Sequence, residues 1–276
     1  MDVLNQGVVL FIVQLLRYAF FAGIAWLIFY KLWKSRYLHK RIKEVFPSGD
    51  QIRREILYSV STFVIFSIVG MLIYIAEKNG YTTIYNTIGD YGWPYFIFSV
   101  IISIVLHDAY FYWTHRMMHH KRIFPYVHRV HHLSHNPSPW ASFAFHPLEA
   151  VIESGILPIL VVTIPMHPIA LLIFIFYMTL LNVLGHLGFE TFPRWFLKSR
   201  WTRWHNTSTH HHMHHGKVNC NYSLYFNHWD RWMNTNHAKY QETFEEIAER
   251  KGKNVYVPGT ESNAELATKA TVAVGR

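Results

Sequence analysis

The stretch Pro94-Tyr-Phe-Ile-Phe-Ser-Val-Ile-Ile-Ser-Ile-Val-Leu-His107-Asp-Ala-Tyr-Phe-Tyr-Trp-Thr-His115-Arg-Met-Met-His119-His120 passes without a break from apolar to histidine-rich sequence. Its first half reads as a helix for a lipid bilayer and its second half as a metal site. Histidine is well suited to bind a borderline transition metal through a neutral ring nitrogen. His115 and His119 are four apart and share one face of a helix. Downstream, His128, His131 and His132 stand at i, i+3, i+4, and His211, His214 and His215 repeat that spacing. Each trio is expected to aim its three imidazoles at a single point. The second block, His210-His-His-Met-His-His215, is not a tag: it is internal, and Met213 interrupts it.

The composition agrees with the apolar half. Of 276 residues, 51% are hydrophobic and only 16% charged, where a soluble protein carries about a quarter. Ten Trp and seventeen Tyr suit the two interfaces of a membrane. The net charge of +9 does not point to nucleic acid, because the basic residues flank apolar spans and match anionic headgroups. The single cysteine, Cys220, excludes an internal disulfide and any multi-cysteine zinc or iron–sulfur site.

Val8 to Trp33 is long enough to span, which takes about 20 residues, and is interrupted by Gln14 and Arg17. Arg17 either snorkels or faces protein. Lys31, Lys34, Arg36, Lys40, Arg41, Lys43, Arg53 and Arg54 then form a basic loop, and a second span runs from about Ile56 to Ala76. Only Lys78 is basic in the next connection. The positive-inside rule therefore places the Lys31–Arg54 loop in the cytoplasm and the N-terminus outside. A third span from Pro94 returns the chain to the cytoplasm at the first histidine block. Leu148–Ile164 and Pro168–Val183 form a hairpin that crosses or dips and returns. All histidine blocks then share the cytoplasmic face. A short helix is expected within Asn206–Asn221, an amphipathic one at Phe244–Lys251, and a disordered tail over Gly259–Arg276.

Eighteen of the twenty histidines lie in His107–His146 and His186–His237, with few acidic residues nearby. Eight or more clustered ligands are too many for one tetrahedral ion, so two metals are expected, with iron, copper and zinc all compatible with imidazole. The absence of His-Glu-x-x-His weighs against an intramembrane zinc protease. Two other functions stay open on the residues alone. A metal transporter or storage protein should place its ligands near the bilayer midplane, and a zinc-dependent lipid hydrolase should supply a general base.

The ordered motifs Asp108…Tyr112…His115-Arg-Met-Met-His119, His128-Arg-Val-His131-His132 and His211-His-Met-His214-His215…Asn221-Tyr222 resemble those of the fatty acid hydroxylase/sterol desaturase superfamily of membrane non-haem di-iron enzymes. Trp229-Asp230-Arg231 adds to the match, and Pro137-Ser-Pro-Trp-Ala-Ser-Phe-Ala-Phe-His146-Pro is most similar to the sterol C-5 desaturase branch. The resemblance implies two iron ions, replaceable by zinc, held by His115, His119, His128, His131, His132, His211, His214 and His215, with His186 as a further ligand. It implies catalytic roles for Asp108 and Asn221. It also implies dioxygen as oxidant, electrons from NAD(P)H through a cytochrome b5-like or ferredoxin-like carrier, and hydroxylation or desaturation of a membrane lipid. Ser223 departs from the glycine common after Asn-Tyr; it stiffens that turn and removes no ligand.

Among the other histidines, His107 lies about 80° round the helix from His115. Asp108, seven before His115, is placed to accept a hydrogen bond from a ligand imidazole or to end the helix as a plain carboxylate. His120, His135, His210 and His212 flank ligand positions on other faces, and His146 suits either the motif or a turn. The expected architecture is all-α: an integral membrane helical bundle of four or five spans with a cytosolic helical cap carrying a dinuclear histidine site. Residues 1–93 make the N-terminal spans and basic loop, 94–258 the catalytic domain, and 259–276 the tail. Tyr110, Trp113, Trp140 and Phe145 are expected to line the upper end of a lipid tunnel walled by Phe96–Trp113 and Leu171–Val183.

Overall fold

The structure is a computed structural model that describes residues 2–251; the expected tail over 259–276 lies outside the described residues. The described residues form helices and connecting turns, with isolated bridges at Arg41–Phe189 and His205–Phe226. Among the described residues, four helical segments are long and apolar enough to cross a membrane: Val3–Leu32, Gly49–Lys78, Gly92–Met118 and Pro168–Gly185. Their ends follow local chemistry. Asp2 and Ser48 cap the first two by accepting from the backbone N–H of Asn5 and Gln51. Pro168 opens the fourth at its first turn, where no N–H is needed, and the His167 ring accepts from Ile169 N–H. The first helix widens into π turns over Leu27–Leu32.

Leu148–Ile164 does not make a fifth span. It divides into two short helices, Pro147–Ser154 and Ile156–Thr163. The cause is Pro158, which has no N–H for the Ser154 carbonyl and whose ring crowds it. The Tyr110 hydroxyl fills the break by donating to the Ile152 carbonyl at 2.6 Å. A Cβ on Gly155 would stand 2.6 Å from that hydroxyl oxygen, so any larger residue would have to displace it. The hairpin is a bent arm followed by one full crossing.

The spans are shaped by what they bury. In the first span 11% of the most apolar window is covered by protein, against 39% in the third. The first therefore offers most of its surface to lipid, through residues such as Leu4, Leu16 and Phe20, whereas the third is held by partners around its histidine-bearing end. Between the first, second and fourth spans, Tyr18, Phe63, Phe143, Phe145 and Val183 pack as one core. The Trp140 carbonyl accepts from both Tyr18 Oη (2.7 Å) and Ser59 Oγ (3.1 Å), which fixes the Pro139–Phe143 turn against the first two spans.

The basic loop does more than face headgroups. Arg41 is buried between the rings of Tyr30, Phe46 and Phe189, 4.3–5.1 Å from their centroids. It donates to Tyr30 Oη (3.0 Å), the Gly188 and Val45 carbonyls (both 3.3 Å) and Asn136 Oδ1 (3.5 Å). Gly188, at φ +79°, leaves room that a Cβ would fill at 2.5 Å from Arg41 Nη1. Lys40, Lys43 and Arg54 donate to the carbonyls of Ala248, His135 and Leu133. This loop thus straps the histidine-bearing face together. Arg41→Met should cost about 2–4 kcal/mol, the loss of charge-assisted hydrogen bonds and aromatic contacts in a buried site. A lowered melting temperature of the purified protein, with Arg36→Met as an exposed control, checks it.

Candidate metal centre

The third span delivers His115 from its last turn and His119 from its C-cap. Two short turns, Phe124–Val127 and Arg129–His132, place His128 between them and His131 and His132 at their end. His186 is the C-cap residue of the fourth span. The helix Ser208–Lys217, capped by the Thr207 side chain on His210 N–H, carries His211, His214 and His215. It ends in left-handed backbone at Val218 (φ +68°), followed by Asn221 (φ +58°).

Nine histidines converge in two adjacent groups. His115, His119, His128, His132 and His214 form one; His131, His186, His211 and His215 form the other, and in each the candidate ligand nitrogens lie within 4.8 Å of one another. The groups adjoin, with His132 and His215 rings 4.9 Å apart. The expectation that each trio serves one point is corrected here. Members of an i, i+4 pair (His115/His119, His128/His132, His211/His215) stay together, and the i+3 member of each trio crosses to the other group. Helix geometry explains the partition: four residues leave side chains about 40° apart, whereas neighbours such as His131 and His132 diverge by about 100°.

The ring tautomers are set from behind. Nδ1–H of His115, His214 and His186 donates to the carbonyls of Tyr222 (2.7 Å), Cys220 (2.7 Å) and Asn182 (2.8 Å). His128 Nδ1 bonds Glu149 Oε1 at 2.7 Å. A carbonyl only accepts, so these rings carry their proton on Nδ1 and turn an Nε2 lone pair inward. Yet inward nitrogens crowd: His115 and His128 Nε2 stand 3.0 Å apart, as do His132 and His214, and His186 and His211. Two lone pairs cannot bond each other. Ligands about 2.1 Å from one ion and at right angles sit ~3.0 Å apart, so the donor set fits a transition-metal ion in each group. Burial, then neighbouring imidazoles, pushes His119, His128, His131, His132, His211 and His215 well below the ordinary histidine range. Burial pushes His186 down to about 4. The rings are neutral at physiological pH, as metal ligation requires.

The remaining expectations divide. Asp108 does not meet an imidazole: its Oδ1 accepts from the backbone N–H of Tyr225 (3.0 Å) and Phe226 (3.2 Å). Asn221 is also tied to backbone, donating to the His210 carbonyl (3.0 Å) and accepting from His237 N–H (2.7 Å). Both hold the loop that follows the Ser208–Lys217 helix. His107 lies outside both groups, with Nδ1 2.7 Å from Tyr225 Oη. His120 and His135 are exposed, His210 and His212 are buried outside the groups, and the His146 ring caps Leu148 N–H. Glu149 was not foreseen as a partner of His128; its signal was a carboxylate in an apolar stretch. Asp230, quoted only as part of a motif, anchors the same loop, accepting from Tyr222 N–H (2.8 Å), Ser223 N–H (2.9 Å) and Thr235 Oγ1 (2.8 Å).

An apolar cavity of about 280 Å³ adjoins the histidines, lined by residues of all four spans and of the bent arm. Its floor includes Phe111, whose ring is 4.9 Å from His115; Phe145, 5.3 Å from His131; and Asn182, whose carbonyl holds His186. It thus ends against both groups. Of the four aromatics expected to line it, Phe145 does. Trp113 and Trp140 do not: Trp113 packs on Trp229, and Trp140 on Tyr18. Tyr110 bridges the hairpin break instead.

Comparison with known proteins places this arrangement. Residues 100–235 match the fatty acid hydroxylase family. A Delta(7)-sterol 5(6)-desaturase of Gibberella zeae is 31% identical over 70% of this chain and 58% of its own length. Lathosterol oxidase of Rattus norvegicus is 32% identical over 71% and 64%, and that of Homo sapiens 31% over 66% and 60%. The chain therefore spans about 58–64% of the length of these relatives. No solved structure matches it. The histidine motifs lie inside the matched region, so over residues 100–235 this chain is similar to the fatty acid hydroxylase family, and the relatives it resembles there are sterol desaturases.

Proposed function

We propose that this protein is an oxygen-dependent oxidoreductase that hydroxylates or desaturates an unactivated C–H bond of a membrane lipid, a sterol above the other classes. The observation that carries the reading is the pair of imidazole groups at the floor of an apolar cavity within the spans. Two iron ions held there would let dioxygen, with two electrons from an NAD(P)H-fed carrier of the cytochrome b5 or ferredoxin kind, oxidise that bond. His115, His119, His128, His132 and His214 would hold one ion and His131, His186, His211 and His215 the other. Glu149 and the Cys220, Tyr222 and Asn182 carbonyls orient the rings from behind, which keeps each lone pair aimed before any ion arrives. Phe111, Phe145 and Phe174 exclude water and hold the lipid's apolar body. The sterol preference rests on the printed activities of the relatives, Delta(7)-sterol 5(6)-desaturase and lathosterol oxidase. Residues 94–258 form the catalytic domain in this reading.

Lipid analysis of a host with and without the chain tests the function. A new double bond or hydroxyl on one lipid class, absent with His131→Ala, is the expected result; identical lipids in all three hosts would contradict it. The reading also places the histidine face in the cytoplasm. Single cysteines at positions 82–86 should then label from outside, and one replacing the exposed Lys34 only after permeabilisation. Buried Cys220 leaves the background low. Labelling of Lys34→Cys in intact cells would reverse the orientation.

A further inference from the structure

The nine histidines are wrapped by rings that resist oxidation, with one exception. Among the described residues, the other rings that touch them belong to Phe111, Phe124, Phe145 and Tyr222. Of these, only the phenol of Tyr222 gives up an electron readily. Its ring is 5.0 Å from His119, 5.7 Å from His214 and 5.8 Å from His115, so it serves the five-membered group. From there contacts continue through oxidisable rings. Tyr222 meets Tyr112 at 6.4 Å, Tyr112 stacks on Trp229 at 5.7 Å with 18° between planes, and Trp229 meets Trp232 at 5.4 Å. Tyr112 is fully buried and Trp232 is 64% exposed, so the line runs from the metal group to the surface.

Tyr112 also has a route for its proton. Thr235 Oγ1 gives its single hydrogen to Asp230 Oδ1 (2.8 Å), because a carboxylate that also accepts from Tyr222 and Ser223 N–H has none to give. The Tyr112 hydroxyl, 2.9 Å from the same Oγ1, is therefore the donor to it, while Arg116 Nη1 donates to the phenol oxygen (3.2 Å). Packing accounts for rings in contact. It does not call for a buried phenol aimed through one hydroxyl at an ionised carboxylate.

We propose that Tyr112 is a redox-active tyrosine, and that Tyr222, Tyr112, Trp229 and Trp232 discharge the metal centre to the surface when it has been oxidised with no lipid in reach. The proposal rests on the lipid-oxidation reading above. An oxidant formed among imidazoles attacks its own ligands when the lipid is missing, and excluding such side reactions falls to the protein. One electron passes from the Tyr112 phenol, by way of the Tyr222 ring, to the oxidised centre, which drops by one oxidation level. The phenolic proton moves to Thr235 Oγ1, whose own proton moves to the Asp230 carboxylate, leaving a neutral tyrosyl. An oxidised phenol is a far stronger acid than a carboxylic acid, so even a carboxylate rich in hydrogen bonds takes its proton. Trp229 then returns an electron to Tyr112, both protons run back, and Trp232 re-reduces Trp229. A one-electron reductant at the surface, the electron carrier or ascorbate, restores the Trp232 indole. Two such transfers bring a centre oxidised by two electrons back to rest.

The test is peroxide treatment of the iron-loaded full chain in lipid nanodiscs without substrate, read by rapid-freeze electron paramagnetic resonance and by peptide mass spectrometry. Peroxide oxidises the iron directly, so neither dioxygen activation nor a lipid is needed. A tyrosyl radical should form in the wild-type protein, be absent from zinc-loaded protein, and be lost in Tyr112→Phe, which keeps the ring and removes only the hydroxyl. Thr235→Val should leave the line of rings in place and slow the radical's formation. Trp201 is the internal control: at 74% it is more exposed than Trp232, and among the described residues its ring carries the Arg200 guanidinium alone. Trp232 should be oxidised severalfold more than Trp201 in the wild-type protein, and no more than Trp201 in Trp229→Leu. If Trp229→Leu does not fold, Trp229→Phe keeps the packing and removes the oxidisable indole, with the same loss expected. No radical in the wild-type protein, a radical unchanged in Tyr112→Phe or Thr235→Val, or Trp232 oxidised no more than Trp201 would each overturn the assignment. The Tyr112 radical in a protein that consumes no dioxygen with reductant and lipid would instead overturn the oxidoreductase reading and leave this one standing.

Discussion

His131→Ala should leave the protein folded, holding one metal ion in place of two and without turnover. His131 belongs to the four-membered group with His186, His211 and His215, so its loss leaves three imidazoles there and the five-membered group intact. His214→Ala should do the converse, leaving four ligands in its own group and disturbing the loop through the freed Cys220 carbonyl. Metal per protein should drop from two towards one in each variant and to zero in the pair. Activity should fall by more than the roughly 10–100-fold that follows loss of a ligand's hydrogen-bond partner. His39→Ala, in the basic loop, should keep both ions. Elemental analysis beside turnover checks this; full metal in either single variant would remove that histidine from the ligand set.

Asp230→Ala should destabilise the fold by about 3–5 kcal/mol and weaken metal binding together. Its buried carboxylate gathers Tyr222 N–H, Ser223 N–H and Thr235 Oγ1, with His210 Nε2 at 3.3 Å, and alanine would orphan those donors. The effect reaches the metal centre because the same loop carries the Cys220 and Tyr222 carbonyls that hold His214 and His115. Burial alone would push the Asp230 carboxyl up, but its hydrogen bonds with His210 and Ser223 outweigh that and hold it well below the usual carboxylate range. A depressed carboxyl stabilises the fold above its unfolded value of about 4, and this contribution is lost as pH falls through the folded value. Melting curves between pH 3 and 6 should steepen on the acid side in the wild-type protein and less so in Asp230→Asn.

The histidine spacing and the apolar runs are local signals, and they carried the spans, the Ser208–Lys217 helix and eight of the nine converging histidines into view from the sequence; His186 entered only through the family resemblance. The break at Pro158 was equally local, and reading it would have settled four spans against five. What stayed hidden depends on distant partners. Which of His131 and His132 faces which group follows from how the short Arg129–His132 turn docks on the third span. Backbone carbonyls at Cys220, Tyr222 and Asn182 leave no mark in a sequence, since every residue has one. Asp108 pairs with amides 117 and 118 residues away, and Arg41 with an aromatic cage drawn partly from Phe189. Both were visible as charged residues in unlikely settings, but not as to what they touch.

Oxygen uptake by the iron-loaded full chain in vesicles, with a chemical or protein reductant and a sterol alcohol, tests the central claim most directly. The account predicts one dioxygen consumed per lipid oxidised, uptake that stops in His131→Ala and His214→Ala, and a product carrying a new double bond or hydroxyl. Lipid cleaved without dioxygen, or dioxygen consumed at the same rate by both histidine variants, would contradict it.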